Sequence, residues 1–167
     1  NVYIVDGKAL LVWNGTELKK ASEIAKIPVV TIAKSPSGGG TSYEDLNLLQ
    51  SGFTELFLGT ASDTAYQLTF SGLDSTTVKA YVLNSSGAWV EKIENTDFTV
   101  DRTNGIVNFT TAPGVSPVAG EDNVKITAYR TVAGYADRIN KCCIGTQYGI
   151  KGAMDRLFLS GNPDYPN

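Results

Sequence analysis

Short runs of β-branched and aromatic residues, separated by turn-forming residues, dominate this sequence and leave few folds open to it. Val, Ile and Thr make up 41 of the 167 residues, and eight Tyr and six Phe share their preference for strands. The dipeptides Asp6-Gly7 and Asn14-Gly15 supply the positive φ angles of two-residue hairpin loops, and Asn104-Gly105 predicts a further hairpin turn between two strands. The pattern predicts an all-β (mainly β) fold of short strands, with one or two short helices.

The middle of the chain has the most regular spacing of strand-like runs. Six runs, at residues 66–70, 77–83, 88–93, 98–100, 106–110 and 124–129, are separated by Gly, Asn, Asp, Ser or Pro. This spacing is typical of an Ig-like antiparallel β-sandwich in which alternate residues face inward. The predicted core consists of Leu68, Phe70, Val78, Val82, Phe98, Val100, Val107, Phe109, Val124 and Ile126.

The two ends of the chain form a second predicted β unit, into which the sandwich is inserted. Residues 1–57 contain a β-meander (strands 2–5 and 8–13), a loop at 34–42 and a short helix from about Glu44 to Leu49, while 16–26 is a turn of helix or a loop. Residues 58–132 form the sandwich module. Residues 133–167 return with strands at 141–144 and 156–159 that pack with the first segment. Because the first residues already resemble a strand, we expect the segment to belong to a longer polypeptide.

Composition argues against several classes of function. The chain contains no His, which removes the catalytic triads and zinc helices that depend on imidazole. A net charge of −3 and a pI near 4.9 do not favour nucleic-acid binding, and no apolar run approaches the ~18 residues of a membrane span. No lysine follows the three glycines ending at Gly40 as a P-loop requires. The commonest enzyme chemistry is therefore absent, and no cofactor is expected.

The two cysteines and the acidic residues offer few sites for chemistry. Cys142 and Cys143 are adjacent, which suits neither a disulfide framework nor a zinc site, so we expect them to be small buried or half-buried side chains in a strand. Asp97 and Asp101 are spaced as a carboxylate pair could be, but Asp at strand ends more often binds turn backbone. Oxygen ligands in residues 97–104 and 121–123 leave weak calcium binding open. No catalytic or metal-binding residue is assigned.

Three aromatic residues are candidates for an exposed contact surface. Tyr81 and Tyr129 are at the alternate positions of their predicted strands that face outward. Trp89 lies near the start of the strand-like run at 88–93. Exposed aromatic rings suit protein interfaces, and they also stack on sugar rings. Tyr81, Trp89 and Tyr129 are therefore the predicted interface residues, with a carbohydrate platform as the alternative. A flat apolar patch would favour a protein partner and a concave groove would favour a ligand.

Several motifs resemble those of a known class of proteins. Residues 97–113 (DFTVDRTNGIVNFTTAP) and 122–129 (DNVKITAY) resemble a sandwich module recurrent in virion proteins of tailed bacteriophages. The flanking motifs are similar, in their order, to phage stabilisation or neck/tail proteins from viruses and prophages of Gram-positive bacteria; they lie at 27–32, 35–41, 43–44, 47–49, 137–142 and 156–166. The resemblance covers most of residues 27–167.

The resemblance implies a structural protein of the virion, synthesised in the cytoplasm of the bacterial host. It transfers no catalytic residues and implies a component without enzymatic activity, at the head–tail junction, neck or tail, that acts through protein–protein contacts. The expected partners are other virion proteins or copies of the same chain, without nucleic acid, membrane or a small-molecule ligand. The alternative function is a carbohydrate- or cell-surface-binding β-sandwich module of a tail adhesin.

Overall fold

The computed structural model describes residues 1–149 and 156–166. Within these residues the chain forms fourteen strands and two one-turn helices, so the prediction of an all-β fold with one or two short helices is confirmed. The strands are β1 (Val2–Val5), β2 (Leu10–Trp13), β3 (Leu18–Lys20), β4 (Val29–Lys34), β5 (Thr41–Ser42), β6 (Gly52–Phe57), β7 (Ala65–Gln67), β8 (Lys79–Leu83), β9 (Trp89–Lys92), β10 (Phe98–Asp101), β11 (Ile106–Phe109), β12 (Val124–Tyr129), β13 (Ile144–Tyr148) and β14 (Arg156–Ser160). The helices are α1 (Ala21–Ile24) and α2 (Asp137–Asn140).

The chain divides into two compact units. The first unit comprises Asn1–Lys26, Asn47–Gln50 and Val132–Asn167, and the second comprises Ile27–Leu46 and Ser51–Thr131. The predicted boundary after residue 57 differs from this division. β6 pairs with β12 along its whole length and β4 pairs with β6 in parallel, so both strands belong to the sandwich. The tail groups with the start of the chain.

The second unit contains a six-stranded and a three-stranded sheet. The strand orders are β5-β4-β6-β12-β8-β9 and β10-β11-β7. Along β12 the residues alternate between buried and half-buried, and the register places Lys125 opposite Tyr81 of β8, which in turn lies opposite Glu91 of β9. One face of the larger sheet therefore packs into the core, and the other carries polar and aromatic side chains.

The core of the second unit confirms the predicted core list. Eight of the ten residues are buried, and Phe70 and Val100 are partly buried against them. Tyr66 packs edge-to-face between Phe57 and Phe109, with ring centroids 5.3 Å from each. The predicted hairpin between β10 and β11 is confirmed, and its four-residue loop ends in Asn104-Gly105, with φ of 72° at Gly105.

The first unit has a smaller apolar core. The sheet β1-β2-β3 and the hairpin β13-β14 bury Leu10, Val12 and Ala21, and Leu157 and Leu159 pack against them. Residues 16–26, predicted to be a turn of helix or a loop, contain α1, but Leu18–Lys20 form β3 because they pair with β2. No helix in the part of the chain that the structure describes is long and apolar enough to cross a membrane.

Several local predictions are wrong. Residues 44–49 do not form a helix, because the Tyr43 and Glu44 N–H groups donate to carbonyls of β4 and hold this segment alongside that strand. Residues 141–143 precede β13 instead of forming a strand. The first two hairpins have four-residue loops, since the side chains of Asp6 and Asn14 each accept two backbone N–H groups within their loops.

Candidate functional site

Two of the three predicted interface residues meet on the outer face of the six-stranded sheet. The Lys125 ammonium lies 4.5 Å from the centroid of the Tyr81 ring and 4.9 Å from that of the Trp89 ring. The Tyr81 hydroxyl donates to Glu91 Oε1 at 3.4 Å. We call these four residues the aromatic–lysine cluster. Cation–π contacts of this kind contribute about 0.5–1 kcal/mol each at exposed sites, so they hold the rings in place on the surface.

The third predicted interface residue lies away from this cluster. Tyr129 is on the same face of β12, opposite Gly52 of β6, but four residues beyond Lys125. At about 3.4 Å per residue this separates the two positions by about 14 Å along the strand. Tyr129 is half-buried, whereas Trp89 is 40% exposed. Trp89 is thus the most accessible of the three predicted residues.

Lys125 and Glu91 are the members of the cluster that sequence reasoning missed. Alternation placed Lys125 on the outward phase of its strand, but it did not show which strands are neighbours. The sequence signal that could have placed Glu91 is the turn between β8 and β9. In that turn the Asn84 side chain accepts the N–H groups of Ser86 and Ala88. That turn sets the register that brings Glu91 opposite Tyr81.

Three hollows in the second unit are lined by residues other than the three predicted interface residues. Hollows of about 250 and 400 Å³ share Val82, Lys92 and Pro113 next to β9, and the larger is also lined by Val90 and Val115. A third, of about 510 Å³, lies beside the glycine-rich segment. None of them includes Tyr81, Trp89 or Tyr129. The cluster is therefore part of an open sheet face and not of these concavities.

The glycine-rich segment has a structural role in the sheet. A Cβ at Gly40 would lie 2.7 Å from the Thr31 side chain and 2.9 Å from the Ile32 carbonyl, so only glycine lets β5 approach β4. The adjacent hollow carries the carboxylates of Glu44 and Asp45, whose charge repels phosphate. The arrangement is unsuited to an anion.

The acidic residues weighed as catalytic or calcium-binding groups bind backbone and turn side chains. Asp97 Oδ2 accepts the Ile93 N–H at 2.8 Å, which confirms the turn interpretation. Asp101 accepts the N–H and side-chain amide of Asn104, and these bonds lower its pKa. Asp122 accepts the Ala33 N–H at 3.1 Å, and burial raises its pKa. Among residues 1–149 and 156–166, no group of three or more His, Cys, Asp or Glu side chains is placed to hold a metal ion.

A buried ion pair inside the sandwich was not predicted. Lys34 Nζ of β4 lies 2.5 Å from Glu55 Oε2 of β6, and these side chains are 3% and 0% exposed. Thr69 completes the network: its hydroxyl accepts from Lys34 Nζ at 2.8 Å, and its N–H donates to Glu55 Oε1 at 3.0 Å. Each charge is paired and hydrogen-bonded, as burial requires. The network links the two adjacent parallel strands to the segment after β7.

The two cysteines differ in environment and are both free thiols. Cys142 is buried after α2, where its Sγ donates to the Arg138 carbonyl, and burial raises its pKa. Cys143 is exposed and donates to the Gly161 carbonyl at 3.0 Å. The prediction of two buried or half-buried strand residues is correct for the burial of Cys142, but neither residue lies in a strand and Cys143 is exposed. The raised pKa of Cys142 makes its thiol a poor nucleophile.

Comparison with known proteins does not assign the chain to a family. No protein-family model matches it, and no curated protein matches it with a significant score.

Proposed function

We propose that this chain is a non-enzymatic structural protein of a bacteriophage virion, of the neck or tail stabilisation type, which acts through protein–protein contacts. The motifs at residues 97–113 and 122–129 support the virion assignment, because they resemble a module of such proteins. The aromatic–lysine cluster supports the contact role. It places aromatic rings on an open sheet face, with Trp89 40% exposed, and aromatic side chains are enriched at protein interfaces.

The cluster also bears on the carbohydrate alternative. A sugar platform needs a free ring face on which a pyranose can stack. The Lys125 ammonium already lies over the Tyr81 ring and over the Trp89 ring, at 4.5 and 4.9 Å from their centroids. The open surface and the covering ammonium favour a protein partner over a glycan.

The virion assignment is tested on particles of the phage or induced prophage whose genome encodes this chain. The particles are purified by density-gradient centrifugation and digested for tryptic mass spectrometry. Peptides of the chain should co-purify with capsid and tail proteins at constant stoichiometry across the particle peak. A non-structural protein of the same phage serves as the matched control and should be lost. Absence of the chain from the particle peak would contradict the proposal.

The glycan alternative is tested on the same protein with an array of bacterial surface polysaccharides. The proposed function predicts no saturable binding. Saturable binding of wild type that is lost in Trp89→Ala but retained in Tyr129→Ala would replace the contact role with the adhesin role.

A further inference from the structure

The strand β9 ends the six-stranded sheet and carries backbone groups that point away from it. The Asn84 N–H donates to the Ala88 carbonyl at 2.9 Å, which makes these two residues a hydrogen-bonded pair of the β8–β9 ladder. Hydrogen-bonded pairs alternate along an antiparallel ladder, so Val90 directs its backbone groups toward β8 while Trp89 and Glu91 direct theirs outward. In the part of the chain that the structure describes, the backbone groups of Trp89 and Glu91 have no partner.

Of the devices that keep sheet edges apart, β9 has a charged side chain on its inward face, Lys92, but neither a bulge nor a proline. The register of β9 against β8 is continuous, so no bulge twists the edge away, and the strand contains no proline. Apolar side chains flank the free groups: Trp89 and Val90 are each 40% exposed, and Ile93 is 62% exposed. The opposite edge of the sheet is protected by length, because β5 has two residues.

We propose that β9 pairs edge to edge with β9 of a second copy of this chain, antiparallel about a two-fold axis at Val90. The two six-stranded sheets then form one continuous sheet. This inference rests on the proposed contact function and deepens it by naming the partner.

The outward backbone groups select this register. A two-fold axis requires that the residue pairs be reciprocal, so the outward residues can pair as Trp89 with Glu91, Trp89 with Trp89, or Glu91 with Glu91. The first choice uses all the outward groups and makes four hydrogen bonds. The second leaves Glu91 facing Gly87, which is turned back to donate to the Asn84 carbonyl. The third places two carboxylates directly opposite each other, which is destabilising.

The charges of the cluster are complementary across the proposed contact. In the Val90-centred register, Glu91 of the second copy lies opposite Trp89 on the outer face of the joined sheet. The Trp89 ring is covered by the Lys125 ammonium at 4.9 Å. Each contact thus brings an anion of one copy toward a cation of the other, twice by symmetry. On the opposite face the two Val90 side chains meet and bury apolar surface.

The test compares two substitutions at Glu91 by sedimentation equilibrium over a wide range of concentration. Glu91→Pro removes an outward N–H without removing a bond to β8, whereas Glu91→Thr removes the same carboxylate and keeps the N–H. Wild type should shift from 17.8 kDa to twice that mass as concentration rises. Glu91→Pro removes two of the four hydrogen bonds and should weaken association about 30-fold or more, at about fivefold per bond. Glu91→Thr should weaken it less.

Hydrogen exchange of the wild type makes the test independent of variant folding. The amides of Trp89 and Glu91 should exchange rapidly in dilute protein and slow down at high concentration, whereas the amide of Val90 should be protected at both. Equal exchange of Trp89 and Glu91 at all concentrations, or equal association of wild type and Glu91→Pro, would overturn the proposal.

The outcomes also separate this proposal from the proposed function. A wild type that stays monomeric while its peptides remain in purified particles overturns the second-copy proposal alone, and an extended segment of another virion protein is then the occupant of the edge. A concentration-dependent dimer that is absent from particles overturns the virion assignment and leaves the β9 contact standing.

Discussion

Removing one partner of the buried Lys34–Glu55 pair should strongly destabilise the sandwich unit. In Lys34→Met, Glu55 keeps its fully buried position and the Thr69 N–H but loses a cation 2.5 Å away. Breaking a buried pair in this way costs about 3–5 kcal/mol, because one charge stays buried without its partner. With a urea m-value of about 2 kcal/mol/M, the unfolding midpoint should fall by about 1.5–2.5 M.

The double substitution Lys34→Met with Glu55→Leu distinguishes a lost charge partner from lost packing. It removes both charges, leaves the Thr69 backbone N–H without an acceptor at a cost of about 1–3 kcal/mol, and takes from the Thr69 hydroxyl its Lys34 donor. The double variant should therefore be more stable than Lys34→Met alone. Lys79→Met is the matched control, since Lys79 is exposed on β8 of the same unit, and its effect should stay within about 0.5 kcal/mol.

Tryptophan fluorescence in a Trp13→Phe background measures these changes in the sandwich unit, because Trp89 is then the sole tryptophan. A midpoint for Lys34→Met within 0.5 M of wild type, on the order of 1 kcal/mol, would refute the reasoning. So would a double variant whose loss equals the sum of the two single losses, since that sum leaves no coupling between the charges.

Three further substitutions test the packing of the same unit. Phe109→Ala should lower the free energy of unfolding by about 3–5 kcal/mol in urea titrations, and an unchanged midpoint would remove Phe109 from the core. Burial raises the pKa of Tyr66 to about 12, so ultraviolet titration should show one tyrosine ionising near pH 12 and stability falling as pH rises from 10 to 12. The Tyr66 hydroxyl has no hydrogen-bond partner in the described residues, so Tyr66→Phe should remove that pH dependence without loss of stability at pH 7; a loss above about 1 kcal/mol would reveal a partner. Gly105→Ala should cost about 1–3 kcal/mol more than Gly87→Ala, because both positions have positive φ but only the Gly105 Cβ would lie 2.2 Å from the Phe70 carbonyl; equal costs would contradict this.

The strands that alternate cleanly could be predicted from the sequence. β8 and β12 each place apolar residues at every second position, and their inward residues are buried. The Asn104-Gly105 turn fixed the β10–β11 hairpin, since its geometry depends on local residues alone. These elements are specified by information within a few residues of the chain.

The central strand β6 escaped prediction because it does not alternate. Five of its six residues are buried, including Glu55, so the pattern shows neither a polar face nor a continuous apolar run. Lys34 was assigned to a loop for a related reason. It precedes Ser, Pro and three glycines, and its burial depends on Glu55, which is 21 residues away. A charge that is satisfied only by tertiary contact carries no local signal.

The candidate site was predictable in residue type but not in arrangement. The outward phase of Tyr81 and the exposure of Trp89 follow from strand periodicity. The position of Lys125 over both rings, and the separation of Tyr129 from them, depend on the order β6-β12-β8-β9. Strand order is a long-range property that spacing along the chain does not encode.

Cross-linking mass spectrometry on intact purified particles tests the central claim most directly. An amine-reactive cross-linker reports the surroundings of Lys92 on β9 and of Lys125 on β12, whose ammonium lies over the Trp89 ring, with Lys8 in the first unit as the comparison. The account predicts intermolecular cross-links from Lys125 or Lys92 to a second copy of the chain or to another virion protein. Particles that contain the chain but give only intramolecular links at both lysines would contradict a contact role for this face.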